Sequence, residues 1–186
     1  SKLSVVAIIP AALIFLVFPE VIINLLFGAE YLEAVNALRI LALGSVFAVG
    51  YQILGPVLSG TNHPQLLMKS SAGAAAVNVV ANIALIPPFG AGGAAMATSL
   101  SYFVLLVLRF HFSKEIVDFS VPLSEIFKAL ACGGGGLAIL IGLKEIIDLT
   151  PWFEAIIVVP IVMVFYLISI LRMKVITKED ISLIES

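Results

Sequence analysis

The chain has 186 residues, of which 61% are hydrophobic and 12% charged, with a formal net charge of -2 and a mean hydropathy of +1.18. Globular domains carry roughly 25% charged residues, so this composition excludes an ordinary soluble domain and points to an all-α, polytopic membrane protein. Near-neutral charge without a basic cluster argues against nucleic acid as a partner, and the single cysteine, Cys132, cannot form an internal disulfide.

Six apolar stretches reach the length of about 20 residues that a bilayer crossing requires: 3–27, 35–58, 66–86, 91–110, 126–147 and 152–171. The first contains Pro10, Pro19 and Glu20. Proline frees backbone carbonyls, so Glu20 with Asn24 one turn further on is a candidate ion-coupling site. The alternative is a helix that breaks at Pro19 and leaves Glu20 solvated near the outer interface.

Arg39 stands one turn into the second stretch. A guanidinium cannot be neutralised and must find water, an acid or an anionic group of a substrate. Forked contact with a diphosphate is one reading; snorkelling to headgroups, or pairing with Glu30 or Glu33, is the other. Ser45, Tyr51 and Gln52 follow on the same stretch, and Gln52 is a further candidate substrate contact.

The third and fourth stretches are joined through Pro87-Pro88-Phe89-Gly90, which predicts a transmembrane hairpin with a tight turn. Asn78 and Asn82 are four residues apart and share a helix face with Ser71 and Ala75, so that face is expected to look at protein or water. Val77, Val80 and Leu85 are expected on the opposite face. Asn78 and Asn82 are candidate contacts for sugar hydroxyls or holders of neighbouring helices, and Thr98, Ser101 and Tyr102 offer a similar lining on the fourth stretch. The ridges Gly90, Ala94, Thr98 and Gly93, Ala97, Ser101 predict close helix packing.

A polar segment, 111–125, follows, with 113–125 expected as a cytoplasmic interfacial loop. Four consecutive glycines, Gly133 to Gly136, interrupt the fifth stretch, where close packing is favoured over a hinge. The tail, 173–186, returns to ordinary polarity. The domain reading is four helices over 1–112, the loop, two additional helices over 126–172, and a cytoplasmic tail.

In this six-span arrangement Lys2, Lys69, Arg109, Lys114, Lys128, Arg172, Lys174 and Lys178 fall on one side, against Arg39 and Lys144 on the other. The asymmetry places both ends in the cytoplasm. The opening Ser1-Lys2-Leu3, with no initiating Met and no cleavage signal, reads as a fragment of a longer chain.

Enzyme chemistry finds no support in the motifs. His63 and His111 are the only histidines, no HExxH, CxxC, GxSxG or phosphate-binding glycine loop occurs, and Glu115, Asp118 and Glu125 are too scattered for a metal or sugar-donor cluster. His63 ahead of Pro64 suits a helix end better than a metal. No metal or cofactor is expected.

Leu26-Phe27-Gly28-Ala29-Glu30-Tyr31, then Leu38-Arg39-Ile40-Leu41-Ala42-Leu43-Gly44, then Leu58-Ser59-Gly60-Thr61 and Pro64, together with Asn78, Asn82, Phe89-Gly90 and Ser101-Tyr102, resemble the C-terminal half of polysaccharide flippases. These belong to the multidrug/oligosaccharidyl-lipid/polysaccharide exporter superfamily. The resemblance implies a two-lobe transporter of 12 to 14 helices in the plasma membrane, turning a lipid-linked saccharide from the cytoplasmic to the outer leaflet by alternating access. It also implies partnership with membrane lipids and with an N-terminal transporter half that this sequence lacks. A multidrug exporter of the same superfamily and a noncatalytic scaffold of glycan assembly are the alternatives.

Overall fold

The computed structural model describes residues 14–116, together with Ala12, Gly135, Gly142, Pro160 and Val164. Apart from Gly135, Gly142, Pro160 and Val164, the fifth and sixth expected spans with their run of four glycines lie outside the described residues, as do the loop beyond Ile116, the tail and most of the first 13 residues.

The described part is helical apart from short turns and a bend. A helical stretch over 14–17 is interrupted by a bend at Phe18, after which α1 runs from Pro19 to Leu26. Proline at the first helical position has no amide hydrogen to leave unpaired and brings a suitable φ, so Pro19 starts a helix here and marks a discontinuity in the first expected span. Glu20 sits in the first turn of α1, where the helix dipole favours an acid. The 3-10 helix Ala29–Ala34 leads directly into α2, Val35–Gly60.

Helix α2 ends in a two-bond cap. Asn62 adopts φ 61, the His63 amide donates to the Leu58 carbonyl at 3.2 Å and the Asn62 amide to the Ser59 carbonyl at 3.2 Å. This is the Schellman pattern, with asparagine in the left-handed position that glycine usually takes. The expectation that His63 serves a helix end is met by its backbone. Pro64 then opens α3, Pro64–Ile116, whose one non-helical residue is Gly90 at φ 55, ψ -130.

Gly90 divides α3 into two antiparallel arms, 64–89 and 91–116, as the expected hairpin requires. Proline at 87 and 88 removes two amide donors just before the break, and glycine supplies the backbone conformation that an L side chain resists. A Cβ on Gly93 would lie 2.0 Å from the Leu85 carbonyl oxygen, so the arms touch backbone to backbone beside the turn. The second arm remains helical to Ile116, which corrects the expectation of a polar connection beginning at His111. His111 Nε2 meets Glu115 Oε1 at 3.3 Å one turn on, and such i,i+4 pairs support a helix.

Helix α2 packs along the second arm of α3, running parallel to it. Gly44 faces Ser99, Phe47 meets Phe103 edge to face at 5.3 Å, Tyr51 meets Tyr102 at 5.6 Å and Gly50 faces Leu106. Glycines let the backbones approach, and each aromatic pair contributes about 0.5–1.5 kcal/mol beyond its buried area. Of the two small-residue ridges, Gly93, Ala97 and Ser101 are buried, whereas Gly90 is exposed and Ala94 and Thr98 are half-buried. Gly93, Ala97 and Ser101 therefore form the contact between the two arms of α3, and Gly90, Ala94 and Thr98 border it.

Met68, Val79, Val80 and Ile83 are 57–73% exposed. An apolar surface of this extent on long apolar helices suits lipid contact and would be a liability in water. The outward strip runs through Val79, Val80 and Ile83; Val77 and Leu85, expected on that side, are half-buried. The arms meet along Ser70, Ala74 and Ala81, and the 3.6-residue period carries Val77 and Leu85 to the margin of that stripe. The described residues form the all-α fold of a membrane protein.

Candidate functional site

Polar groups converge between the two arms of α3. Ser71, Ala74, Ala75 and Asn78 from the first arm and Thr98, Ser101, Tyr102 and Leu105 from the second line an open-sided cleft of about 300 Å³. Its volume is at the lower end of the roughly 300–1,000 Å³ usual for ligand sites. The spacing by four and three residues that puts Ser71, Ala75 and Asn78 on one face places three of the four lining residues of the first arm, and the expected polar residues of the fourth span supply three of the four opposite.

Asn78 is the node of this arrangement. Its Oδ1 accepts from Asn82 Nδ2 at 2.9 Å, and its Nδ2 donates to Ser101 Oγ across the cleft at 3.4 Å. Ser101 Oγ in turn donates to the Thr98 carbonyl at 2.8 Å, and Thr98 Oγ1 to the Ala94 carbonyl at 2.9 Å. Hydroxyls that return to their own helix cost the apolar surroundings little. The contact at 3.4 Å is long, so a ligand hydroxyl could replace it with a shorter bond. Asn82 stands behind Asn78 and orients its amide without lining the cleft.

Arg39 and Glu20 are brought together. Arg39 Nη2 donates to Glu20 Oε1 at 2.6 Å, with the two side chains 42% and 48% exposed. The partner of Arg39 is thus Glu20 on α1, and neither Glu30 nor Glu33. The bend at Phe18 and the turn through the 3-10 helix carry the first turn of α1 beside the second turn of α2. Asn24 is exposed on α1 and Gln52 is exposed on α2, both outside the hairpin cleft.

Arg109, one of the cations on the side expected to be cytoplasmic, is half-buried. Its Nη1 donates to the Tyr51 carbonyl oxygen at 2.8 Å, and its guanidinium carbon lies 5.1 Å from the centre of the Tyr51 ring, a cation–π distance. The available signal was spacing: Thr98, Tyr102, Leu105 and Arg109 follow one another by four, three and four residues and so share a face. Among the described residues no cluster of three or more His, Cys, Asp or Glu has a metal-binding arrangement.

No protein-family profile matches the chain, and no solved structure matches it. The chain is 31% identical over 145 residues to an uncharacterized membrane protein of Methanocaldococcus jannaschii, covering 78% of this chain and 29% of that protein. It is 32% identical over 152 residues to a Haloferax volcanii protein named "probable low-salt glycan biosynthesis flippase Agl15", covering 78% of this chain and 32% of the relative. A third relative, the capsular polysaccharide biosynthesis protein CapF of Staphylococcus aureus, is 32% identical over 97 residues, 52% of this chain and 24% of its own length. The chain spans a third or less of the length of these relatives. Over that span it is similar to an uncharacterized membrane protein, a probable glycan-biosynthesis flippase and a capsular polysaccharide biosynthesis protein.

Proposed function

We propose that the chain forms part of a flippase that carries a lipid-linked saccharide from the cytoplasmic to the outer leaflet of the cell membrane by alternating access, with the hairpin cleft as part of the sugar's path. The observation that carries this reading is the convergence of an amide, Asn78, and four hydroxyl-bearing residues, Ser71, Thr98, Ser101 and Tyr102, in one cleft of a largely apolar hairpin. Amides and hydroxyls match sugar hydroxyls in number and geometry, and the aromatic ring gives a sugar face something to rest on. Similarity to the Haloferax flippase supports the same class of cargo. In this reading the chain spans the membrane six times with both ends cytoplasmic, and the remaining helices of a two-lobe transporter complete the cavity.

Helix ends at the bilayer surfaces hold charged pairs at low cost, and the Glu20–Arg39 pair fits a structural tie between α1 and α2 on the outer side. The cleft test is complementation of a strain lacking a glycan flippase. The full-length protein restores surface glycan, and an Asn78→Leu, Ser101→Ala variant that reaches the membrane at equal abundance does not. Full restoration by that variant would remove the cleft from the pathway.

A further inference from the structure

The cleft between the arms of α3 has a fixed hydrogen-bond polarity. The Ser101 hydroxyl lies 2.8 Å from the Thr98 carbonyl oxygen, and the Thr98 hydroxyl lies 2.9 Å from the Ala94 carbonyl oxygen. A carbonyl can only accept, so both hydroxyl hydrogens are turned back onto their own helix, and both oxygens keep only lone pairs for other partners. Asn78 must then present its NH2 group to Ser101 Oγ, which leaves Oδ1 to accept from Asn82 at 2.9 Å. The orientation of both amides thus follows from two backbone carbonyls of the second arm.

At this end of the cleft a ligand meets lone pairs on Thr98 Oγ1, Ser101 Oγ and Asn78 Oδ1, against one remaining hydrogen on Asn78 Nδ2. Ser71 stands seven residues before Asn78, about 10 Å along the arm, and Tyr102 four residues beyond Thr98. The hydroxyls of these two donate or accept as a ligand requires.

Charge is the second observation. Among the described residues that line the cleft none is charged. Lys69 stands two positions before Ser71 and so on the other side of the first arm. Arg109 turns its guanidinium to the carbonyl and ring of Tyr51 on α2, with Nη1 at 2.8 Å and the ring centre at 5.1 Å. A carboxylate brought to Asn78 and Ser101 would lose water, meet oxygens that can only accept and find no cation, which is costly in apolar surroundings. A sugar hydroxyl brings the hydrogen that these lone pairs call for.

We infer that the hairpin cleft is a filter for sugar charge: it takes an uncharged sugar unit through the hydrogens of its hydroxyls and discriminates against a uronic acid in the same place. This rests on the reading of the cleft as part of the sugar's path and adds to it the class of sugar that fits. Asn78, Thr98 and Ser101 set the polarity. Ala75, exposed on the cleft wall, is the position from which an introduced cation reverses it.

The test is binding to the purified full-length protein in phosphatidylcholine nanodiscs at neutral pH. The probes are farnesyl diphosphate alone and farnesyl diphosphate carrying glucose, glucuronic acid or glucuronamide. Wild type binds the glucose and glucuronamide forms alike, and each about tenfold or more tighter than the glucuronic acid form. Ala75→Lys lowers that ratio by about threefold or more, as a hydrogen-bonded cation would, and Asn78→Leu abolishes the advantage of the glucose form over bare farnesyl diphosphate.

Equal affinity of wild type for the glucose and glucuronic acid forms, with the glucose advantage lost in Asn78→Leu, overturns the filter and leaves the sugar path standing. Equal affinity for all four probes, unchanged in Asn78→Leu, overturns both. A preference for glucose that persists in Asn78→Leu and in Ala75→Lys places the discrimination outside the cleft and overturns the inference. Where Asn78→Leu does not fold, Ala75→Lys carries the test, and an unchanged ratio in that variant overturns the filter.

Discussion

Asn78 on the first arm of α3 reaches Ser101 on the second at 3.4 Å, joining by a single long bond the two walls of a cleft that is otherwise held by small residues. Bonds between membrane helices contribute about 0.6 kcal/mol on average, so this one contributes little to folding. Asn78→Ala and Ser101→Ala, alone and combined in a double-mutant cycle, are expected to show a stability coupling of about 0.5 kcal/mol or less by thermal unfolding in detergent. A coupling well above about 1 kcal/mol would assign the pair to packing.

Neighbouring glycines should behave in opposite ways. A Cβ at Gly93 would meet the Leu85 carbonyl oxygen at 2.0 Å, which is backbone and cannot step aside, whereas a Cβ at Gly92 meets nothing within 4 Å. Gly93→Ala is expected to destabilise by about 1–3 kcal/mol, and Gly92→Ala to be neutral or stabilising through helix propensity. Melting temperatures of the two variants decide it; a tolerated Gly93→Ala would mean that the arms lie further apart beside the turn.

Gly90 carries φ 55, ψ -130 with open space around it, so its requirement is conformational rather than steric. Gly90→Ala is expected to cost about 1–3 kcal/mol, read as lower thermal stability. Asn62, at φ 61, should accept glycine without loss, while Asn62→Val removes the left-handed cap of α2 and lowers stability.

Glu20 and Arg39 offer a charge-swap test. Both are about half-exposed, and exposed ion pairs contribute about 0.2–1 kcal/mol. Arg39→Glu places two acids together and should lower thermal stability, and adding Glu20→Arg should recover most of that loss. A double variant no better than the single would show that the pair does not persist in the folded protein.

The hairpin was legible in the sequence because its signals are local: Pro87-Pro88 and Gly90 break the backbone, and the four-residue spacing of Asn78 and Asn82 fixes a face. The cleft-lining Thr98, Ser101 and Tyr102 followed from the same periodicity. The partner of Arg39 was not legible. Glu30 and Glu33 are nearer in sequence, but the bend at Phe18 and the 3-10 helix bring Glu20, 19 residues away, into contact. Arg109 looked like an edge cation because spacing along a helix says nothing about whether a long side chain reaches outward or back. Its contacts are supplied by a different helix, through the carbonyl and ring of Tyr51. The helical continuation through His111 was hidden by its polarity, which in the structure belongs to an i,i+4 pair.

Transbilayer movement of a fluorescent lipid-linked saccharide, measured in proteoliposomes containing the full-length protein, tests the cleft most directly. Asn78→Leu is compared with Ile83→Ala on the lipid-facing side of the same arm, each at matched incorporation. The account predicts a rate at least about tenfold lower for Asn78→Leu, as expected when a buried polar contact to cargo is lost, and a rate close to wild type for Ile83→Ala. Equal rates for wild type and Asn78→Leu would contradict it.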